Sequence, residues 1–242
     1  MAMSLVVTSA SAASTVGSVE DSLRNAYLSS PEFIAHMEAD PAGAEAMLEK
    51  IIEDTLAARS GVAPYMDNDV RAWVNLTLIQ QDGNTYCGPA NVLMAIKGWG
   101  GTVPGSTTDA QQAYLAGIMG TDSTGTYVYR VRDCLNSYLS YMTYSYYQGA
   151  ELSTLQFRSY IYNSLAHDRA PLLHARTKYL SYYNGHSTGH YITIGSYDSS
   201  TMEVTLYDSH PNDLYYGIHT VSYLEAYDSI ASESGRYLIV NW

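Results

Sequence analysis

Basic residues are scarce in this chain. Among 242 residues there are 12 Lys plus Arg against 24 Asp plus Glu, a formal charge of −12. No basic stripe is available to neutralise phosphates, so a nucleic-acid partner is not expected. Charged residues of both signs make up only 15% of the chain and hydrophobic ones 46%, which excludes a disordered tail and supplies a real core. Cysteine is nearly absent: Cys87 and Cys134 allow one bridge or two free thiols, not a disulfide framework. No apolar run approaches the roughly 20 residues that cross a bilayer, so no membrane span is expected. Phenylalanine and tryptophan are rare as well, 2 and 3 residues against 24 Tyr, a balance that predicts half-exposed strands and a wet surface over a greasy interior.

What is present is unevenly spread. Residues 1–75 carry 11 acids and 4 bases and residues 76–242 carry 13 acids and 8 bases, so the chain changes character near residue 75. Residues 1–16 read as a flexible leader or the remnant of a secretory signal: a short apolar stretch precedes Ala10-Ser11-Ala12-Ala13, and no Lys or Arg comes before Arg24. The expected location is outside the cell or on its surface. Residues 17–75 read as an acidic helical extension. Asp40 can cap a helix with Pro41 at its first position, and Met47, Leu48, Ile51, Ile52 and Leu56 recur at helical spacing until Gly61. A shorter helix is expected at Ser29-Ser30-Pro31-Glu32, with Ser29 and Glu32 at capping-box spacing. The extension reads as packing over the main domain or as a pro-region.

Residues 76–242 show helices first and strands after them, the pattern of an α+β domain. Helices are predicted over 87–97, 108–118, 127–139 and 153–166. Strands are predicted over 142–148, 170–176, 190–198, 202–209, 215–221 and 236–241.

Chemistry concentrates at three places. Cys87 stands at the first turn of a helix opened by Gly88-Pro89, where unpaired N–H groups and the helix dipole stabilise a thiolate. Gln81, six residues upstream and before the turn-forming Asp82-Gly83-Asn84, can fold back to donate to an oxyanion beside the sulfur; Gln80 is one residue out of that spacing. His190 begins a strand in which His190, Ile192 and Ile194 share a face. With a three-residue loop at 199–201, Ile192 opposes Asp208, which places His190 and Asp208 diagonally on one face and within side-chain reach. A nucleophile, a base and an orienting carboxylate are then together. Cys134, mid-helix among Val131, Leu135 and Leu139, reads as core. His186 and His190 have the spacing of a zinc pair, but Gly185 and the residues around it form a loop that does not enforce ligand geometry, so no metal site is expected. The Tyr-rich segments at 138–147, 179–183 and 215–216 read as half-exposed strand faces or a peptide groove. The Gly- and Ser-rich stretch 181–189 reads as a mobile gating loop beside His190.

The blocks Gln81-x5-Cys87-Gly88-Pro89-Ala90, Gly189-His190-Tyr191-Ile192-x-Ile194-Gly195-x-Tyr197-Asp198 and Val204-x-Leu206-x-Asp208, in that order over residues 76–242, resemble the papain-like cysteine peptidases of the bacteriocin-processing, double-glycine type. The likeness is to the stand-alone, secreted members. It implies a papain-like α+β fold whose helical half carries the Cys and whose antiparallel half carries His and Asp. It also implies Cys87 as nucleophile, His190 as base, Asp208 as orienter, Gln81 in the oxyanion hole, no cofactor or metal, and a peptide or protein substrate. The chain departs from the family at Asp208-Ser209-His210-Pro211, where Asp-Pro is frequent. Two other readings stay open: an acyltransferase, since phytochelatin synthases share the Gln-x5-Cys-Gly start, and a catalytically silent peptide-binding module.

Overall fold

Proline has no N–H to donate, so it suits the first position of a helix and makes the residue before it the cap. Two helices of this chain begin that way. The computed structural model describes residues 9–59, 71–139 and 143–241, which divide into the units Met1–Ala63 and Pro64–Trp242. In the first unit, α1 (Ser9–Leu28), α2 (Pro31–Ala39) and α3 (Pro41–Arg59) pack on one another. Asp40 Oδ1 accepts the Gly43 N–H at 3.1 Å and caps α3. Ser30, not Ser29, caps α2, accepting from Phe33 N–H at 3.4 Å, while the Ser29 hydroxyl turns back onto the Ala26 carbonyl. Leu23, Tyr27, Phe33, Leu48 and Ile51 are buried in this unit, and Arg24 pairs with Glu20, Glu45 and Glu49. Of the expected leader, residues 1–8 lie outside the described residues and Ser9 onward is helical; the expected stop at Gly61 also lies outside them.

The second unit is built on one antiparallel sheet. Its strands are β1 (Arg71–Trp73), β2 (Tyr144–Gln148), β3 (Leu172–Arg176), β4 (Gly189–Asp198), β5 (Glu203–Asp208), β6 (Gly217–Ser222) and β7 (Tyr237–Asn241). They lie in the order β2-β7-β3-β4-β5-β6, with β1 paired to the far end of β4. The sheet therefore takes in residues upstream of 76. Helices α4 (Cys87–Gly98), α5 (Thr108–Met119) and α6 (Val128–Tyr138) pack together, with α4 against β4. The remaining helices are α7 (Thr154–Ala166), started by a Ser153–Gln156 capping box, and α8 (Tyr223–Ala231). Each predicted helix and strand of this unit is present within a few residues, residue 142 lying outside the described ones. The sequence reading missed α8, although Ser222-x-x-Glu225 is a start signal: the Ser222 hydroxyl accepts from Glu225 N–H.

The tyrosines overturn one expectation. Far from covering a wet surface, Tyr144, Tyr146, Tyr147, Tyr183, Tyr191, Tyr197 and Tyr237 are at most 2% exposed. With only 2 Phe in the chain, tyrosine fills the aromatic positions of the core, and burial is tolerable because hydroxyls find acceptors. Tyr144 donates to the Ala170 carbonyl and Tyr191 to the Thr126 carbonyl.

Candidate active site

Cys87 is the first residue of α4. The next residue must be small, because a Cβ on Gly88 would sit 2.7 Å from Thr126 Oγ1. Four residues on, one helical turn away, Asn91 is fully buried and ties three segments together. Its Nδ2 shares two hydrogens among the Cys87 carbonyl, the Tyr191 carbonyl and Ser209 Oγ, and its Oδ1 accepts from Thr193 Oγ1 at 2.6 Å. Nucleophile helix, histidine strand and the end of the aspartate strand are thus cross-linked by one amide. The missed signal was its position on the helical face of Cys87.

His190 is the second residue of β4 and Asp208 the last of β5, both buried. His190 Nε2 donates to Asp208 Oδ1 at 2.9 Å. His190 is also coupled electrostatically to the Cys87 sulfur, and with Nε2 engaged by Asp208 the nitrogen left to serve the thiol is Nδ1. Cys87, His190 and Asp208 are therefore coupled in one line, with the His190–Asp208 hydrogen bond as its fixed part.

How the strands achieve this differs from the expectation. The loop between them has four residues, 199–202, with Met202 in the left-handed region at φ 59°, and Asp198 opposes Glu203. Carried straight on, that register would set Asp208 opposite Thr193, on the wrong face for His190. A bulge at Gly195 moves the register by one, so that Ile194 opposes Leu206 and Thr193 opposes Tyr207. The next pair is then Ile192 with Asp208, as the three-residue loop had implied for a different reason. Only glycine fits the bulge: a Cβ there would meet the Tyr207 ring at 2.3 Å. Gly195→Ala is expected to cost about 1–3 kcal/mol of stability through the forced ring movement and to lower turnover more than substrate binding, measured by thermal melts and steady-state kinetics.

Electrostatics favour an ion pair. Burial pushes the Cys87 thiol up, but the His190 hydrogen bond and charge, with the N–H groups of Tyr191 and Gly88, outweigh it and hold the thiol below its ordinary value. Burial lowers His190, yet Asp208 and then Cys87 outweigh that and raise it to about 10. Asp208, pushed up by burial, is brought below the ordinary carboxyl range mainly by His190.

Gln81 is buried beside this line. Its N–H donates to the Ser209 carbonyl at 2.7 Å and its side-chain Nε2 to the Gly83 carbonyl at 2.6 Å, across the expected turn. Gln80 points elsewhere, its amide on the 210–213 segment with Asp213 Oδ1 at 3.0 Å. Gln112, which no sequence signal marked, fixes this stretch by accepting from Asp82 N–H and donating to the Gln80 carbonyl. The departure at Ser209 also has a use: its hydroxyl and carbonyl receive Asn91 and Gln81, and His210 N–H donates to Asp208 Oδ1.

The remaining candidates sit apart from this chemistry. Cys134 is a free, buried thiol pushed up to about 12 by burial and then by Asp133, and Cys87 is also free. His174 pairs across the sheet with Tyr191, so it projects from the face opposite His190 and stacks on that tyrosine at 4.5 Å. Among the described residues no three His, Cys, Asp or Glu side chains converge as a metal ion requires; His186 stacks on Tyr215 at 5.4 Å instead. The stretch 181–189, expected to be a mobile gate, is stitched down. Thr177 Oγ1 donates to the His186 carbonyl and accepts from Thr188 N–H, and the Tyr182 and Tyr183 hydroxyls both reach Asp208.

Among solved structures the chain is similar to a double-glycine-motif protease from an AMS/PCAT transporter in complex with the leader peptide. The two share 14% identity over 73% of this chain and 99% of that one, with a TM-score of 0.45. It is also similar to a fragment of Prevotella intermedia prointerpain A, at 12% identity over 80% and 82% of the two chains and a TM-score of 0.47. No curated protein matches it. Residues 73–234, well over half of the chain, match the Peptidase_C39 like family. The chain belongs to that family.

Proposed function

We propose that the enzyme cleaves peptide bonds through an acyl-enzyme on Cys87. The observation that carries this reading is the buried His190, hydrogen-bonded to Asp208 at 2.9 Å and coupled to the Cys87 sulfur at the start of α4. The thiolate attacks the scissile carbonyl carbon, and the C–N bond breaks as the His190 imidazolium gives its Nδ1 proton to the leaving amine. A water then attacks the thioester, His190 taking its proton, and the C–S bond breaks to release the acid product and restore the Cys87 thiolate beside the His190 imidazolium. Asp208 keeps Nε2 engaged and the ring oriented throughout. Gln81 Nε2 carries a second hydrogen beyond the one given to Gly83, and the N–H of Cys87, the first residue of α4, has no acceptor within the helix; both suit a developing oxyanion.

The ion pair sets the pH response. Acidification through the lowered Cys87 value protonates the thiolate, and alkalinisation through the raised His190 value removes the imidazolium proton. Activity should therefore be bell-shaped, with its basic limb near 10 and not at the roughly 6.5 of a free imidazole. The test is kcat/KM on a short peptide ester across that range, together with mass spectrometry after a thiol-directed peptidyl inactivator. An adduct on Cys87 and a bell of this shape are expected; a flat profile, or an adduct confined to Cys134, overturns the assignment.

A further inference from the structure

The buried Asp208 carboxylate accepts four hydrogen bonds, and two of them come from side chains that have no part in the reaction proposed above. Oδ1 receives His190 Nε2 and His210 N–H, each at 2.9 Å. Oδ2 receives the hydroxyls of Tyr182 at 2.8 Å and Tyr183 at 2.9 Å. Both tyrosines come from one short 3-10 turn, Ser181–Tyr183, and each is separately braced. Tyr182 lies flat on His219, with ring centres 3.7 Å apart, and His219 Nε2 bonds the Tyr215 carbonyl at 2.8 Å. Tyr183 stacks on Tyr215 at 4.4 Å and stands edge-on to His190 and His210. The turn is anchored in its own right, since Ser181 N–H donates to Glu225 Oε1 at the start of α8. Phenyl rings would make the same stacks; only the hydroxyls serve the carboxylate.

Resting on the assignment of Asp208 as the orienter of His190, we infer that Tyr182 and Tyr183 are positioning residues, a two-hydroxyl clamp that holds Asp208 ionised and aimed at the histidine. A fully buried carboxylate left with an empty oxygen tends to protonate. Its sp³–sp² torsion is also broad, so a carboxylate held by one oxygen can turn. A neutral or turned Asp208 supports the imidazolium less, and a weaker imidazolium stabilises the thiolate less. Besides His190 and Cys87, the titratable groups facing the clamp are His186 from the same loop, His210 and Tyr215 after β5, His219 on β6 and Glu225 on α8. All of them are kept in Tyr→Phe variants.

The experiment compares Tyr182→Phe, Tyr183→Phe and the double variant with the parent enzyme. It reads kcat/KM and, with no substrate, the pH dependence of alkylation of Cys87 by iodoacetamide, with adducts mapped so that Cys134 is counted separately. We expect kcat/KM to fall about tenfold in each single variant and about a hundredfold in the double, as for lost hydrogen bonds to a charged group. The ion-pair window should narrow from both ends: the acid limb moves up in the alkylation profile and in kcat/KM, and the basic limb of kcat/KM moves down. A purely structural role would lower the amplitude and the melting temperature and leave both limbs in place, and that result overturns the clamp. If the double variant does not fold, the single variants carry the same test. Failure of the triad reading itself shows in the parent enzyme, as no adduct on Cys87 or no bell; a bell in the parent with unmoved limbs in the variants overturns the clamp alone.

Discussion

Cys87→Ala is expected to lower peptide hydrolysis by about six orders of magnitude, the scale seen when a triad enzyme loses its nucleophile. The size follows from the reaction path. Without sulfur no acyl-enzyme forms, and His190 is left with only a water to activate in place of the thiolate. The fold should survive, because the side chain is small and half-buried at a helix start. His190 also keeps its charged partner, Asp208, so no buried charge is stranded. A thermal melt within a few degrees of the parent, alongside turnover of a peptide substrate below detection, is the predicted pair of readings. Turnover retained by the alanine variant would remove Cys87 from the mechanism.

The second large effect belongs to the two glutamines, and they should behave oppositely. Gln81→Ala is expected to raise the barrier by about 2.7–4 kcal/mol, seen in kcat with little change in KM, because an oxyanion donor acts mainly in the transition state. Gln80→Ala should act on stability, at about 1 kcal/mol, since its amide holds the Pro211 carbonyl and Asp213. Steady-state kinetics on one ester substrate and a denaturant titration of both variants separate the two. A greater loss of kcat from Gln80 would show that the loop presents the other amide to the oxyanion, with the role of Cys87 unaffected.

The different duties of neighbouring glutamines show what was legible in the amino-acid order. Alternation along an extended segment is a local property, so Gln80 and Gln81, neighbours in sequence, were expected to face opposite ways. The helix start at Cys87 was equally local, written in Gly88-Pro89 and the polar turn before it, and so was the strand that begins at His190. Even the α3 cap followed from Asp40-Pro41 alone. Such features depend on residues within one or two turns of each other, whose preferences do not wait for the rest of the chain.

The tertiary structure decided whatever depended on partners far away in sequence. The face on which Asp208 stands rests on a bulge at Gly195 that compensates a loop one residue longer than the sequence suggested. Alternation continues through a bulge unseen until the partner strand is in place. Asn91 was visible as a polar residue in a helix, but its acceptors lie about a hundred residues downstream, on Tyr191 and Ser209. The tyrosine count was plain from the start and its meaning was not. Whether a tyrosine lies half-exposed on a strand or buried with its hydroxyl on Asp208 is set by which carboxylate or carbonyl the fold brings within about 3 Å. The sequence by itself determined which chemical groups stand at the starts and ends of the elements, because those rules are local. Their alignment into one line waited for the long-range pairing of β4 with β5 and of α4 with β4.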